Sequence, residues 1–312
     1  MTDPARVDVH QHVLPPDYVR WLAGHGIHDS GGRPLPEWSA DLALDVMDRR
    51  SIATAILSVT FPGVHLGDDA EAREMAGRVN EFSAGLVRDR PDRFGFFASV
   101  PLPDVDGALD AVAHAFDDLS ADGVVLLANS AGTYLGAEEL DPLMAELDRR
   151  SAVVFVHPAV LPGAPVPGIP PVAADFLLDT TRAVVNLVRR EIPSRFPRIR
   201  FVLAHAGAFV PYAAHRLALA LSFETGREIP SLLEELRSFY FDIALSGTPD
   251  TLPSLLAFAR PGHVLYGSDW PLAPEPAVAY FDQQLASYEG LDPDRRREID
   301  NGNAKLLFPR LS

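Results

Sequence analysis

Two histidines near the start of the chain have a spacing that suits a metal ion. The sequence VDVHQH covers 7–12 and places His10 and His12 one residue apart in an apolar stretch. Side chains of an extended strand alternate between its two faces, so both imidazoles lie on the same face. A strand that carries two histidines for no chemical purpose is the alternative. Taken alone, the stretch predicts a candidate metal clamp.

Other residues of ligand type end other apolar stretches. His157 follows AVVFV at 152–156, His205 follows IRFVLA at 199–204, and Asp269 follows VLYGS at 264–268. Three neutral imidazoles and one carboxylate suit zinc, with a coordination position left for water or substrate. We predict one divalent ion, zinc or else manganese, held by His10, His12, His157 and Asp269. On Zn²⁺ this set leaves about one net positive charge, which favours an anionic substrate.

Eight apolar stretches separated by helical patterns must position these residues. They are Val7–His12, Ala53–Val59, Phe94–Val100, Gly123–Ala128, Ala152–His157, Ile199–Ala204, Phe239–Ile243 and Val264–Ser268. Continuous apolar stretches are typical of strands that are buried on both faces, as in parallel sheets. The repeat predicts an α/β fold, a (β/α)₈ TIM barrel that spans 1–312 as a single domain, whose strands end at one mouth. A doubly wound open sheet is the competing fold, but no GxGxxG turn follows the first strand.

Composition restricts the class of partner. The 312 residues carry a formal net charge of −16, which disfavours nucleic acid and anionic membrane surfaces as partners. There is no cysteine, so a metal must be bound by His, Asp or Glu. No stretch approaches 18 consecutive apolar residues, and the N-terminal residues lack the pattern of a signal peptide. We predict a cytoplasmic protein that acts on a small molecule.

The motifs together resemble those of the amidohydrolase superfamily. These motifs are HxH on the first strand, VHP at 156–158, LAHAG at 203–207 and GSDWP at 267–271. The resemblance is closer to the branch typified by aminocarboxymuconate semialdehyde decarboxylase. Within it, the stretches at 47–64, 92–109 and 121–129 are most similar to those of the 6-methylsalicylate decarboxylases. The resemblance covers essentially the whole chain.

The resemblance implies a specific chemistry. It implies a mononuclear metal barrel that removes CO₂ without redox chemistry, with the four predicted ligands above and with His205 acting close to the metal as a non-ligand. The predicted fourth strand, Gly123–Ala128, has no lysine that could bridge two metals, which independently favours a single ion. Members of the branch are commonly oligomeric. The long loops Gly26–Trp38 and Val160–Pro171 could form a lid or a dimer contact, and we expect a homodimer.

The expected reaction is decarboxylation of a small aromatic acid such as an ortho-hydroxybenzoate. Asp269 or His205 then delivers a proton to the ring carbon. A flat apolar pocket is expected, and its candidate contacts are Phe61, His65, Tyr134, Phe209, Tyr212, Arg216 and Trp270. A hydrolase of a lactone, ester or amide that activates water with the same ligands is the runner-up. A non-catalytic barrel stabilised by a metal is the third alternative.

Overall fold

The eight predicted strands form one parallel barrel. The computed structural model describes residues 6–164 and 166–311. Its strands are β1 (Arg6–His12), β2 (Ile52–Ser58), β3 (Phe94–Ser99), β4 (Gly123–Leu127), β5 (Val153–His157), β6 (Arg200–Leu203), β7 (Tyr240–Asp242) and β8 (Val264–Leu265). Neighbours in sequence are neighbours in the sheet, and every pair is parallel. The predicted (β/α)₈ fold is confirmed.

The ring closes between the first strand and the segment after the last. The backbone N–H of Val9 donates to the carbonyl of Tyr266 at 3.0 Å, and that of His12 donates to the carbonyl of Trp270 at 2.7 Å. In return, the N–H of Asp269 donates to the carbonyl of His10 at 2.7 Å. Because of these bonds, the two histidines of β1 lie directly beside Asp269.

Helices surround the barrel and cover its outer face. They are α1 (Pro16–Gly24), α2 (Ala40–Arg49), α3 (Asp69–Asp89), α4 (Val105–Asp117), α5 (Asp141–Arg149), α6 (Asp175–Arg189), α7 (Ile192–Arg195), α8 (Val210–Thr225), α9 (Ile229–Leu236), α10 (Leu252–Phe258), α11 (Glu275–Ser287), α12 (Pro293–Arg297) and α13 (Asn303–Leu307). Three of the long helices begin at a side-chain cap: Ser39, Asp68 and Asp104 each accept a backbone N–H of the first turn. None of the described helices is long and apolar enough to cross a membrane.

The core has two parts, and the inner part supports the site. Val9, Phe97, Val125, Phe155 and Val202 pack together inside the barrel. Residues of α13 and the turn after it pack against this inner cluster. A larger apolar cluster fills the space between the strands and the helices. The mouth at the carboxyl ends of the strands is therefore the end at which polar side chains can gather.

Two short antiparallel pairs were not expected from the sequence. Asp29–Ser30 pairs with Arg33–Pro34 in the loop after α1, and Asn129–Ser130 pairs with Thr133–Tyr134 after β4. Gly31 and Gly32 supply the positive φ angles of the first turn, and Ala131 and Gly132 those of the second. Both pairs lie at the mouth of the barrel, where the connections are long.

Candidate metal centre

His10 and His12 lie side by side in the barrel, fully buried. Their Nε2 atoms are 3.1 Å apart. Nδ1 of His10 lies 2.8 Å from Oδ2 of Asp242, and because a carboxylate can only accept, Nδ1 donates. Nδ1 of His12 lies 3.0 Å from the hydroxyl of Ser58. Because Nδ1 of each ring is engaged in this way, the two Nε2 atoms are the ones that face each other and Asp269.

Three residues from other strands complete the cluster. Oδ1 of Asp269 lies 2.9 Å from Nε2 of His12, and its Oδ2 lies 3.7 Å from Nε2 of His205. His157 turns its Nδ1 to the carbonyl of Pro158 at 2.8 Å. All five side chains are at least nine-tenths buried. The histidines and the aspartate that are distant in sequence thus meet at one point, as predicted.

The backbone at two of these residues is strained. His205 has a φ of 55° and Asp269 a φ of 63°, in the left-handed region that side chains rarely adopt. His205 lies two residues after the end of β6, and Asp269 lies four residues after the end of β8. Such conformations cost about 1–3 kcal/mol each and persist where the surrounding structure holds them. The surrounding structure therefore holds His205 and Asp269 in strained backbone conformations that turn both side chains into the mouth.

Burial and neighbouring charges set the protonation of the cluster. Burial lowers the pKa of His12, and burial together with the neighbouring histidines lowers the pKa of His157 well below its usual range. Burial also opposes the charged form of His10, but Asp242 and Asp269 outweigh it and raise its pKa to about 10. Hydrogen bonds from the histidines overcome burial and hold the pKa of Asp269 well below its usual range. The cluster therefore favours one positive charge between the two carboxylates.

A divalent cation fits this donor set. Ligand atoms of His10, His157, His205 and Asp269 all lie within 4.8 Å of one another, and Nε2 of His12 is within 3.1 Å of two of the same groups. Imidazole nitrogens and a carboxylate oxygen that converge in this way are donors that a divalent cation binds. The structure therefore brings three of the predicted ligands, His10, His157 and Asp269, together with His205, and the fourth, His12, lies against His10 and Asp269.

Asp242 was not predicted to take part. Besides holding His10, its Oδ1 accepts the backbone N–H of His205 at 3.0 Å and that of Ala244 at 2.9 Å. The sequence shows an aspartate at the end of an apolar stretch, as at Asp269, and that position is the signal that could have identified it. Asp242 is thus a second buried carboxyl group beside the histidines, in addition to Asp269.

A cavity of about 660 Å³ opens beside the cluster. Residues at the ends of β2, β3, β4 and β5 or just after them line it, among them Val59, Ser99, Leu127 and Ala159. Thr60, which lies between two lining residues, has its hydroxyl 2.7 Å from Nδ1 of His157. The five clustered side chains themselves are not among the lining residues, so the cavity adjoins the cluster through Thr60 and the segment after His157.

The predicted substrate contacts fall into two groups. Phe61 and His65 line the cavity, and Tyr134 lies at its edge, paired with the lining residue Asn129. Phe209 and Tyr212 are 40% and 88% exposed near the start of α8.

Arg216 is exposed on the same helix, and Trp270 is buried in the core between strands and helices. Among the described residues, the cavity lining does not include Phe209, Tyr212, Arg216 or Trp270. Their roles as substrate contacts stay predictions.

A buried aspartate holds the wall of the cavity. Asp179 of α6 accepts the backbone N–H of Ala159 at 2.9 Å, the amide of Asn129 at 2.9 Å and the hydroxyl of Tyr134 at 2.8 Å. Burial raises the pKa of this carboxyl. No pattern in the sequence indicates this contact, because Asp179 lies within an amphipathic helix.

Comparison with known proteins agrees with this geometry. A family model described as amidohydrolase matches residues 7–310. The chain belongs to the amidohydrolase family. It is 38% identical over 316 residues to the 6-methylsalicylic acid decarboxylase of Penicillium expansum, covering 98% of this chain and 97% of that protein. The similarity to 6-methylsalicylate decarboxylases is thereby confirmed.

Solved structures share the fold. The crystal structure of an amidohydrolase II is 32% identical, with a TM-score of 0.92 over 97% of this chain and 99% of that one. A dihydroxybenzoic acid decarboxylase from Polaromonas sp., solved with manganese and the inhibitor 2-nitroresorcinol, is 20% identical. Its TM-score is 0.79 over 98% of this chain and 97% of that chain, and at this identity the likeness shows the fold alone.

Proposed function

We propose that the protein is a metal-dependent carboxy-lyase that removes CO₂ from a small ortho-hydroxylated aromatic acid. The observation that carries the proposal is the buried cluster of four histidines and Asp269 at the barrel mouth, beside an open cavity. The relative from Penicillium expansum, named as a 6-methylsalicylic acid decarboxylase, supports this substrate class. A hydrolase remains the second candidate, and the experiment below distinguishes the two.

The metal is proposed to be held by His10, His12, His157 and Asp269. A divalent ion there would supply positive charge that orients the carboxylate and the ortho-hydroxyl oxygen of an acid. Zinc suits three imidazoles and one carboxylate. Manganese is the alternative, and the solved decarboxylase from Polaromonas sp. contains it.

His205 and Asp269 are proposed to handle the proton. Loss of CO₂ from an aromatic ring requires a proton at the carbon that carried the carboxylate. Nε2 of His205 and Oδ2 of Asp269 lie 3.7 Å apart at the mouth side of the cluster, so a small movement brings them into hydrogen-bond contact. Either group can take up the proton of the ortho-hydroxyl group of the acid and pass it to the ring carbon, and burial keeps bulk water away from it.

Proton NMR in D₂O tests the reaction. Metal-loaded protein is incubated with salicylate, 6-methylsalicylate and 2,6-dihydroxybenzoate, together with aryl esters and lactones. We expect CO₂ release and deuterium at the vacated ring carbon. Cleavage of the esters or lactones with the acids untouched would instead identify a hydrolase.

We also propose that the protein is a homodimer in the cytoplasm. An exposed apolar stripe on α8, formed by Tyr212, Leu219 and Phe223, supports self-association. These residues are spaced by seven and four positions and so share a helix face. Sedimentation at micromolar concentration should show a dimer, and Phe223→Asp should shift it to a monomer. A monomeric unmodified protein would contradict the proposal.

A further inference from the structure

The cavity beside the cluster is larger than one substituted ring needs. Its volume is about 660 Å³. Pockets of about 300–1,000 Å³ hold ligands of drug size. A hydroxybenzoate with one methyl group is far smaller than such ligands. The remaining space must therefore be filled by water or by a larger part of the substrate.

The lining of the cavity is uncharged. None of the described residues that line it is Asp, Glu, Lys or Arg. Its walls are mostly aliphatic, with Val59, Val100, Val125, Leu127 and Leu161 among them. An uncharged aliphatic wall favours an apolar group over a second hydroxyl or carboxylate, because a polar group would lose its water without a partner.

Two of the polar side chains in the lining, Asn129 and His65, already have partners, and the hydroxyls of Ser99 and Ser130 are the others. The amide of Asn129 donates to Asp179 and to the carbonyl of Val160. Nε2 of His65 lies 2.8 Å from Oδ1 of Asp69, outside the cavity lining. Polar recognition is thus concentrated at the histidine cluster, and the cavity offers mainly apolar contact.

The wall is held in place by fixed contacts. Asp179 accepts hydrogen bonds from Asn129 and Ala159, which both line the cavity. A Cβ built on Gly63 would lie 3.0 Å from Cδ1 of Leu127, so the loop after β2 packs closely on the end of β4. A cavity held open by such contacts is preformed and does not depend on collapse of the wall around a small ligand.

From these observations we propose that the enzyme prefers ortho-hydroxybenzoates that carry an apolar chain of several carbons next to the carboxylate. The proposal rests on the proposed function. The carboxylate and the hydroxyl face the histidine cluster, and the chain occupies the cavity over β2 to β5. Each methylene moved from water to such a surface strengthens binding roughly fourfold.

Paired substrates test the preference. The metal-loaded protein is assayed with 2-hydroxy-6-pentylbenzoate and with 6-methylsalicylate, by CO₂ release for kcat/KM and by titration calorimetry for the dissociation constant. We expect both kcat/KM and affinity to favour the pentyl acid at least tenfold. Equal or weaker values for the pentyl acid would overturn the proposal.

A matched pair of variants ties the preference to the cavity. Leu127→Trp fills the space at the end of β4, whereas Leu306→Trp adds the same side chain on α13 at a position 78% exposed. We expect the ratio of pentyl to methyl kcat/KM to fall at least tenfold in Leu127→Trp and to stay constant in Leu306→Trp. An unchanged ratio in Leu127→Trp would place the chain elsewhere and overturn the proposal.

The binding measurement separates the two proposals. If neither acid releases CO₂, the decarboxylase function fails. The calorimetric preference for the pentyl acid, and its loss in Leu127→Trp, still decides whether the cavity takes an apolar chain. If 6-methylsalicylate is decarboxylated and the pentyl acid neither binds nor reacts, the chain preference fails and the function stands.

Discussion

At the scale of single residues, Asp242 holds Nδ1 of His10 and so determines that Nε2 is the nitrogen available to a metal. Its Oδ2 receives Nδ1–H of His10 at 2.8 Å, and its Oδ1 accepts two backbone N–H groups. We predict that Asp242→Asn weakens metal binding about 10- to 100-fold, because partners of this kind fix the tautomer and basicity of a ligating imidazole. Competition with a fluorescent chelator measures this.

The control for Asp242→Asn is Asp148→Asn. Asp148 is also buried and accepts a backbone N–H, that of Arg198 at 2.7 Å, but it lies on α5 at the outside of the barrel. It should lower stability and leave the metal affinity intact. Equal losses of metal affinity in both variants would mean that Asp242 acts only through stability.

A second residue-scale prediction concerns His12 and His205, which both lie beside Asp269. Nε2 of His12 is 2.9 Å from Asp269, and Nε2 of His205 is 3.7 Å from it. We expect His12→Ala to lose metal and activity together. We expect His205→Asn to keep near-stoichiometric metal and to lose activity by several orders of magnitude. Elemental analysis after gel filtration checks this, and release of metal from His205→Asn would make His205 a ligand.

At the scale of elements, the turn between β6 and α8 stores strain. Ala208 has a φ of 58° and a ψ of −122°, a combination that only glycine adopts easily. We predict that Ala208→Gly raises the free energy of unfolding by about 1 kcal/mol, since relief of strain exceeds the added flexibility of the unfolded chain. Urea denaturation measures the change.

The matched control is Ala220→Gly on α8. Ala220 is exposed within the helix, and glycine there should lower the free energy of unfolding by about 1 kcal/mol. The two alanine-to-glycine changes should therefore have opposite signs. A loss of stability in both would show that the turn at Ala208 is not strained.

The elements also show what the sequence could predict. Apolar stretches of four to seven residues identified all eight strands, and ligand-type residues at their ends identified His157, His205 and Asp269. The sequence could not predict which face of a helix turns to solvent where the helix begins after a loop. Tyr212 and Arg216 follow His205 closely in sequence, yet α8 begins in a phase that turns both to solvent.

Contacts between distant segments were likewise beyond prediction. Asp179 and Asn129 are 50 positions apart, and only the closed barrel brings them together. The same holds for Asp242 and His10, which are 232 positions apart. Sequence patterns report the local period of a strand or helix, whereas such pairs depend on the register of the whole barrel.

At the scale of the whole molecule, the metal should stabilise the fold. The centre joins β1, β5 and the segment after β8, so a bound ion connects the first strand of the barrel to the segment that follows its last strand. A ligand that binds only the folded state at 100 times its Kd adds about 2.7 kcal/mol, which for a domain of this size raises the Tm by about 4 °C.

We therefore predict that Mn²⁺ or Zn²⁺ raises the Tm of chelator-treated protein, as measured by scanning calorimetry. His10→Ala should not respond, because it lacks one of the converging lone pairs. His114→Ala is the matched control: His114 is half exposed on α4 and pairs with Asp118, so this variant should keep the full response. An equal Tm rise in all three proteins would mean that the ions act at the surface, and the centre at the barrel mouth would then have no measurable affinity for them.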